Sequence, residues 1–296
     1  MSPEFARAPG IVAIAVAVLS ACNPVPDAFH CTSSTQCTAS GTAGACESDG
    51  YCSASDPGCP SGRRYIAAGD LDGQCVAGAE GGGSPCSTFT GLACEGFEGA
   101  TVGNSWEIYV PNASYARDST RAARGDASGH FQLMASPALG RTYGELGNHT
   151  SPTTGTVATR AFFFFPTLPP YSGSRLIAVR QTTGSFLHIS LNFDQSKLSL
   201  HSSITNSYRQ SAVDLPTGRW VCLELVITYG QAGTVRGYMD GQELTSLRLD
   251  ENTLATPPAS ALFLGFAIED PGAPTPAYDY WIDEVALDTT RIGCAR

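Results

Sequence analysis

The sequence predicts an all-β protein: an antiparallel jelly-roll β-sandwich preceded by a small disulfide-rich module. Three observations predict it. Between residues 104 and 288, short runs of apolar, β-branched and aromatic residues follow one another, parted by clusters of Gly, Pro, Asn and Asp. No stretch repeats apolar residues convincingly at helical spacing. Six of the eleven cysteines crowd residues 31 to 75 amid Ser, Thr, Gly and Asp, a composition too poor in large apolar side chains to fold without staples.

The N-terminus comes first. Residues "IVAIAVAVL" form an apolar run too short to span a bilayer, and "LSAC" at Leu19 to Cys22 follows at once, where a signal peptide is cut. This arrangement resembles a bacterial lipobox. The resemblance implies a leader over residues 1–21 and a diacylated Cys22 that anchors the chain to a membrane; an ordinary secretory signal is the alternative. Removing Cys22 leaves ten cysteines, an even number suited to disulfides in an oxidising compartment.

Residues 22–75 then read as a Cys-rich module or stalk, with fifteen connectivities open to six cysteines. Its run "CPSGRRYIAAGDLDGQCV" resembles Cys-rich spacers behind the lipobox in surface lipoproteins of Gram-negative bacteria. That resemblance implies a place in the cell envelope, periplasmic or at the surface. Residues 76–85, "VAGAEGGGSP", are a Gly-rich linker, and residues 86–296 form the sandwich.

Strands are expected at 104–110, 129–136, 156–165, 174–182, 186–193, 197–202, 219–229, 233–240, 261–268 and 278–288. Val221, Leu223, Leu225 and Ile227 alternate onto one face of "RWVCLELVITY", and Leu187, Ile189, Leu191 and Phe193 onto one face of "SFLHISLNF". These rows are the expected core. "AFFFF" at 161–165 reads as a strand covered on both sides. In "YDYWIDEVAL", strict alternation places Trp281, Asp283, Val285 and Leu287 together, which sets a carboxylate on an apolar face and asks what holds it.

Two resemblances bear on the sandwich. "GRWVCLELVITYGQAGTVRGYMDGQEL", residues 218 to 244, resembles the laminin-G and concanavalin A-like pattern, in which a tryptophan-led strand precedes one ending in a Y-x-D-G hairpin. Many β-sandwich carbohydrate-binding modules begin with FE…G…W and end with IDDV-x-L, and "FEGATVGNSW" and "WIDEVAL" are similar to both ends. The second resemblance implies a structural calcium ion held by Glu98 and Asp283, a chemistry that oxygen ligands suit. The alternative is that Asp283 accepts backbone hydrogen bonds or pairs with an arginine. Terminal strands lie side by side in such domains, which implies a Cys94–Cys294 bridge and leaves Cys86 with Cys222.

The faces opposite the core rows carry Trp220 with Glu224, Phe186 and His188 with Asn192, and Lys197 with His201. Arg180, Arg236 and Tyr238 are expected beside them. Aromatic faces set among hydrogen-bonding groups suit sugars, which present apolar C–H patches and a hydroxyl rim. The predicted function is therefore carbohydrate binding, through Arg180, His188, Asn192, Trp220, Glu224, Arg236 and Tyr238. A jelly-roll polysaccharide lyase acting on uronate polymers is the enzymatic alternative, with Arg180 and Gln181 quieting a carboxylate while His188 and Tyr238 move protons. A structural or adhesive surface module is the third. The net charge of −10 argues against a nonspecific grip on nucleic acid or anionic lipid, so a polysaccharide is the expected partner and the membrane is met only through Cys22.

Overall fold

The computed structural model describes residues 29–39, 42–47, 50–56, 63–74, 76, 86, 88–137, 140–181, 188–269 and 271–294. The leader, Cys22, Cys59, Cys75, most of the 76–85 linker, Phe186 and Leu187 lie outside them.

The N-terminal module is built from five short strands: β1 (Thr38–Ala39), β2 (Thr42–Ala43), β3 (Ala45–Cys46), β4 (Cys52–Ser55) and β5 (Arg63–Tyr65). β1 pairs with β2, and β3, β4 and β5 form a separate three-stranded sheet. Cys31–Cys46 and Cys37–Cys52 staple it, each closing 15 residues. The buried sulfurs stand where larger modules place aliphatic side chains.

The sandwich begins with β6 (Ala93–Glu95), β7 (Glu107–Tyr109), β8 (Ala113–Asp118), β9 (Ser128–Leu133), β10 (Arg141–Asn148) and β11 (Thr156–Phe164). It continues with β12 (Ser174–Arg180), β13 (His188–Asp194), β14 (Lys197–Ser202), β15 (Ser207–Asp214) and β16 (Trp220–Thr228). It closes with β17 (Gly233–Met239), β18 (Gln242–Glu251), β19 (Ala261–Glu269) and β20 (Tyr278–Asp288). One antiparallel sheet has the order β15-β14-β13-β12-β19-β10-β7; the other runs β18-β17-β16-β11-β20-β9-β8, with β6 also pairing β20. Each of the ten predicted strands is present; β6, β8, β10, β15 and β18 are additional.

The core lies between the sheets. Val221, Leu223, Leu225 and Ile227 meet Ile189, Leu191 and Phe193 there, as alternation predicts. Tyr280 reaches through the core from β20 and donates its hydroxyl to the Gly144 carbonyl on the opposite sheet, which satisfies a buried phenol. A Cβ at Gly144 would lie 2.9 Å from Leu133, so glycine keeps the two sheets this close.

β11 is covered on both sides, as its unbroken apolar run predicts. Ala161, Phe163 and Phe165 face the sandwich core, while Phe162 and Phe164 join Trp220 and Cys222 in a second cluster on the outer face. Over that cluster lie the loop between β8 and β9, with Arg121 3.8 Å above Phe164, and the tail after β20.

The predicted disulfides need correction. Cys86 joins Cys94, and Cys222 joins Cys294, in place of Cys94–Cys294 and Cys86–Cys222. Ala286, not a residue near Cys294, pairs with Cys94 in the sheet, and the tail turns toward β16 instead. The facing of "YDYWIDEVAL" also needs correction. The pairing of β20 with β11 shifts between Arg160 and Phe162, and Glu284 has a left-handed backbone (φ 50°). This bulge resets the alternation, so Tyr280, Ile282, Val285 and Leu287 all reach the core. Asp283 stays on the outer side with Trp281.

Candidate functional site on the seven-stranded sheet

Strand alternation assembles the site. β10 turns Thr142, Gly144 and Leu146 inward, so Arg141, Tyr143 and Glu145 look outward. β19 buries Leu262, Leu264 and Phe266 and sends out Phe263 and Glu269; β12 sends out Arg175 and Arg180, a bulge at 176 keeping both on one face. The result is a groove of about 380 Å³ lined chiefly by Tyr109, Tyr143, Arg180, Gln181, His188 and Phe263.

Its electrostatics are asymmetric. Arg175 is committed to Glu269, with Nη1 donating to Oε2 at 3.0 Å and Nη2 to Oε1 at 2.8 Å, and Tyr143 donates to the same carboxylate at 2.6 Å. The Arg175 hydrogen bond holds the Glu269 carboxyl at about 2, well below the usual range. Burial, with the neighbouring Glu269 charge, keeps the Tyr143 phenol protonated far into alkali. Arg180 differs. Its guanidinium lies 3.6 Å above the Phe263 ring, and its nearest acid among the described residues, Glu145, is 3.9 Å away, too far for a hydrogen bond. Glu145 is 2% exposed beneath the arginine, its Oε2 without a hydrogen-bond partner among the described residues. Desolvation, opposed by Arg180, pushes its carboxyl up to about 7.

At the other end, His188 Nε2 is 3.2 Å from His201 Nδ1, and burial shifts His201 toward its neutral form. Gln181 donates its amide to the Pro257 carbonyl. Asn192 sits two positions along β13 from Ser190, opposite Arg175, on the same sheet face.

Of the predicted site residues, Arg180, Gln181 and His188 thus converge, with Asn192 beside them. Trp220, Glu224, Arg236 and Tyr238 do not; they belong to β16 and β17 of the other sheet. Trp220 packs edge-on against Phe164. Glu224 accepts hydrogen bonds from the backbone of Ile292 (2.8 Å) and Gly293 (3.0 Å) and from Arg291 Nε (3.1 Å). Arg291 also covers Tyr238 at 4.0 Å, and Arg236 pairs with Asp250. Glu224, Tyr238 and the Trp220 cluster fasten the C-terminal tail over their sheet, and Arg236 ties β17 to β18. Tyr143 and Glu145 are missed because β10 is: of its inward positions Thr142, Gly144, Leu146 and Asn148, Leu146 alone is large and apolar, so the alternation is faint. Arg175, Phe263 and Glu269 lie on or at the end of expected strands, and only the sheet pairing brings them beside β10. The outward period Arg141, Tyr143, Glu145 is the signal that could reveal it.

The expected calcium ligands also serve another purpose. Asp283 Oδ2 accepts the backbone N–H groups of Ala123 (2.8 Å) and Arg124 (3.1 Å), and Oδ1 that of Glu284 (2.8 Å). Glu98 accepts the Asp126 N–H with both oxygens, at 3.0 and 3.1 Å. The two acids hold one loop from two sides. N–H groups point where a cation would approach, and among the described residues neither acid belongs to a group of three or more His, Cys, Asp or Glu ligand atoms. In this arrangement both acids serve as loop anchors.

The fold defines the class: a jelly-roll β-sandwich with a polar groove on one sheet. No family model matches the chain, and no curated protein matches it by sequence. Solved structures do match its fold. "Cellulose induced protein, Cip1" superposes with a TM-score of 0.55 at 18% identity, covering 69% of this chain and 100% of that one. An endo-β-1,4-glucuronan lyase from the fungus Trichoderma reesei has a TM-score of 0.55 at 17% identity, covering 68% of this chain and 96% of its own.

Proposed function

We propose that the groove on the seven-stranded sheet binds carbohydrate, and that its ligand is an acidic polysaccharide bearing uronate carboxylates. The observation that carries this reading is Arg180, laid over Phe263 and, among the described residues, without a hydrogen-bonded acid, lining a groove with aromatic walls. A carboxylate suits the guanidinium, and the C–H faces of the sugar suit the exposed ring of Tyr109. The glucuronan lyase of similar fold acts, as its name says, on a polymer of that class. Calorimetric titration with oligoglucuronate and with a neutral cello-oligosaccharide tests it. Wild type should bind the acidic oligomer, and Arg180→Ala should bind it at least tenfold more weakly, the loss of one charged hydrogen-bonded pair. Equal affinity for both oligomers overturns the acidic preference, and no binding to either overturns the reading.

Uronate β-elimination is the second reading, favoured by Arg180, Gln181 and His188 lining one groove. Arg180 would hold the carboxylate while His188 takes the neighbouring carbon's proton. The electron pair then forms the C=C bond as the C–O bond to the departing sugar breaks, and the departing oxygen takes up a proton. Tyr143, a phenol within the groove, replaces Tyr238 as the candidate donor. Growth of ultraviolet absorbance from unsaturated uronate, lost in His188→Ala, supports catalysis; flat absorbance with intact binding leaves a lectin-like protein. We further propose that Cys22 carries the lipid that holds the protein in the cell envelope, tested by whether Cys22→Ala releases it.

A further inference from the structure

We infer that Glu145 is the specificity-determining counter-ion of the groove: a uronate carboxylate displaces its charge from Arg180, so binding takes up a proton from solvent onto Glu145. This rests on the acidic-polysaccharide reading above and concerns a residue that reading does not require.

The argument is one of charge counting in a confined space. Two arginines of β12 face Glu145. Arg175 is spent on Glu269 through two hydrogen bonds, which leaves Arg180 as the cation that Glu145 and a ligand must share. Glu145 stands 3.9 Å from Arg180 Nη2, beneath it and 2% exposed, so water cannot screen the pair well. A ligand carboxylate on the outer side of the same guanidinium places two anions on one cation. Close like charges with little solvent cannot both stay ionised, and the buried member takes the proton.

The other neighbours strengthen this. Glu269 on β19 adds negative potential at Glu145, Tyr280 from β20 approaches from the core as a protonated phenol, and Tyr109 of β7 lies opposite Glu145 in the sheet register. On its own strand, Tyr143 stays a phenol and Arg141 lines the groove at the Glu269 end. Among the described residues, Arg180 and Arg175 lower the proton affinity of Glu145, and binding occupies the first of them. The carboxyl already titrates at about 7, so a modest further rise moves it across neutral pH.

Calorimetry of oligoglucuronate binding near pH 8, repeated in buffers of different ionisation enthalpy, measures the proton directly. Wild type should take up a measurable fraction of a proton per site, and its affinity should weaken by up to roughly tenfold per pH unit above neutrality. Glu145→Gln should bind without proton uptake and with a flat pH profile. His188→Gln should retain the uptake, which separates Glu145 from the groove histidine. If Glu145→Gln does not fold, the wild-type uptake must still appear at pH 8 and vanish near pH 5, where Glu145 is already protonated. Buffer-independent heats in wild type, or uptake that persists in Glu145→Gln, overturn the inference while leaving uronate binding intact. Absence of any binding heat removes the acidic-polysaccharide reading itself.

Discussion

The Arg175 guanidinium and the Glu269 carboxylate meet across β12 and β19 in a double hydrogen bond of 3.0 and 2.8 Å. Neither residue is near the other in sequence, and the pair sets which arginine of the groove remains available. Because Glu269 is held at about 2, against 4.5 for an ordinary glutamate, the stability it contributes is present above 4.5 and is lost as pH falls toward 2.

Glu269→Gln should therefore cost roughly 1 kcal/mol at pH 6, a figure kept small because the carboxylate is partly solvated. Urea unfolding of wild type and variant should converge as the pH is lowered from 4.5 toward 2. A gap that stays constant over that range would point to lost packing instead of lost charge.

Glu145 predicts the opposite slope. Its folded-state carboxyl titrates at about 7 and its unfolded one near 4.5, so the native state binds more protons between those values and stability falls as pH rises through them. Glu145→Gln removes a contribution on the order of 2–3 kcal/mol to that decline. Denaturant midpoints at pH 5 and pH 8 should differ less in the variant than in wild type, with the variant the more stable at pH 8.

The tail beyond β20 is tied to β16 by Cys222–Cys294, a bridge closing 72 residues, and by the acceptor Glu224. Replacing both cysteines with serine should cost roughly 2–4 kcal/mol and speed proteolysis after residue 288. Peptide mapping should recover Cys86 with Cys94 and Cys222 with Cys294. Uronate binding on the opposite sheet should survive the change at temperatures where the variant is folded.

Asp283 is fully buried and satisfies three backbone N–H groups, although desolvation raises its carboxyl well above the usual range. Asp283→Asn should destabilise by roughly 1–3 kcal/mol, because an amide can turn only one acceptor oxygen toward those donors. Thermal unfolding of wild type with and without a calcium chelator should give one Tm. A chelator-dependent Tm would show that the loop between β8 and β9 is held by an ion after all.

Much of the fold was legible locally. A row such as Val221, Leu223, Leu225 and Ile227 needs only the two-residue strand period to identify its buried face, and "AFFFF" announces a doubly covered strand by its unbroken apolarity. β10 was not legible, because among its inward residues Leu146 alone is large and apolar, too little to mark a core face. The groove shared that fate in part: Arg180 and His188 stand out as polar residues on apolar strands, whereas Tyr143 and Glu145 lie on the strand that escaped notice.

The sequence by itself determined the fold class, the positions of ten strands, the inward rows and the crowding of cysteines into one small module, since each follows from composition or period along a short stretch. Tertiary structure alone decided three things. It sorted Arg180 and His188 from Trp220 and Tyr238, because strand order assigns β12 and β13 to one sheet and β16 and β17 to the other. It paired Cys222 with Cys294, because the tail crosses the outer face instead of extending β20. And it turned Asp283 out of the apolar row, because one bulged residue reverses every side chain that precedes it relative to those that follow, and a strict period cannot register that extra residue.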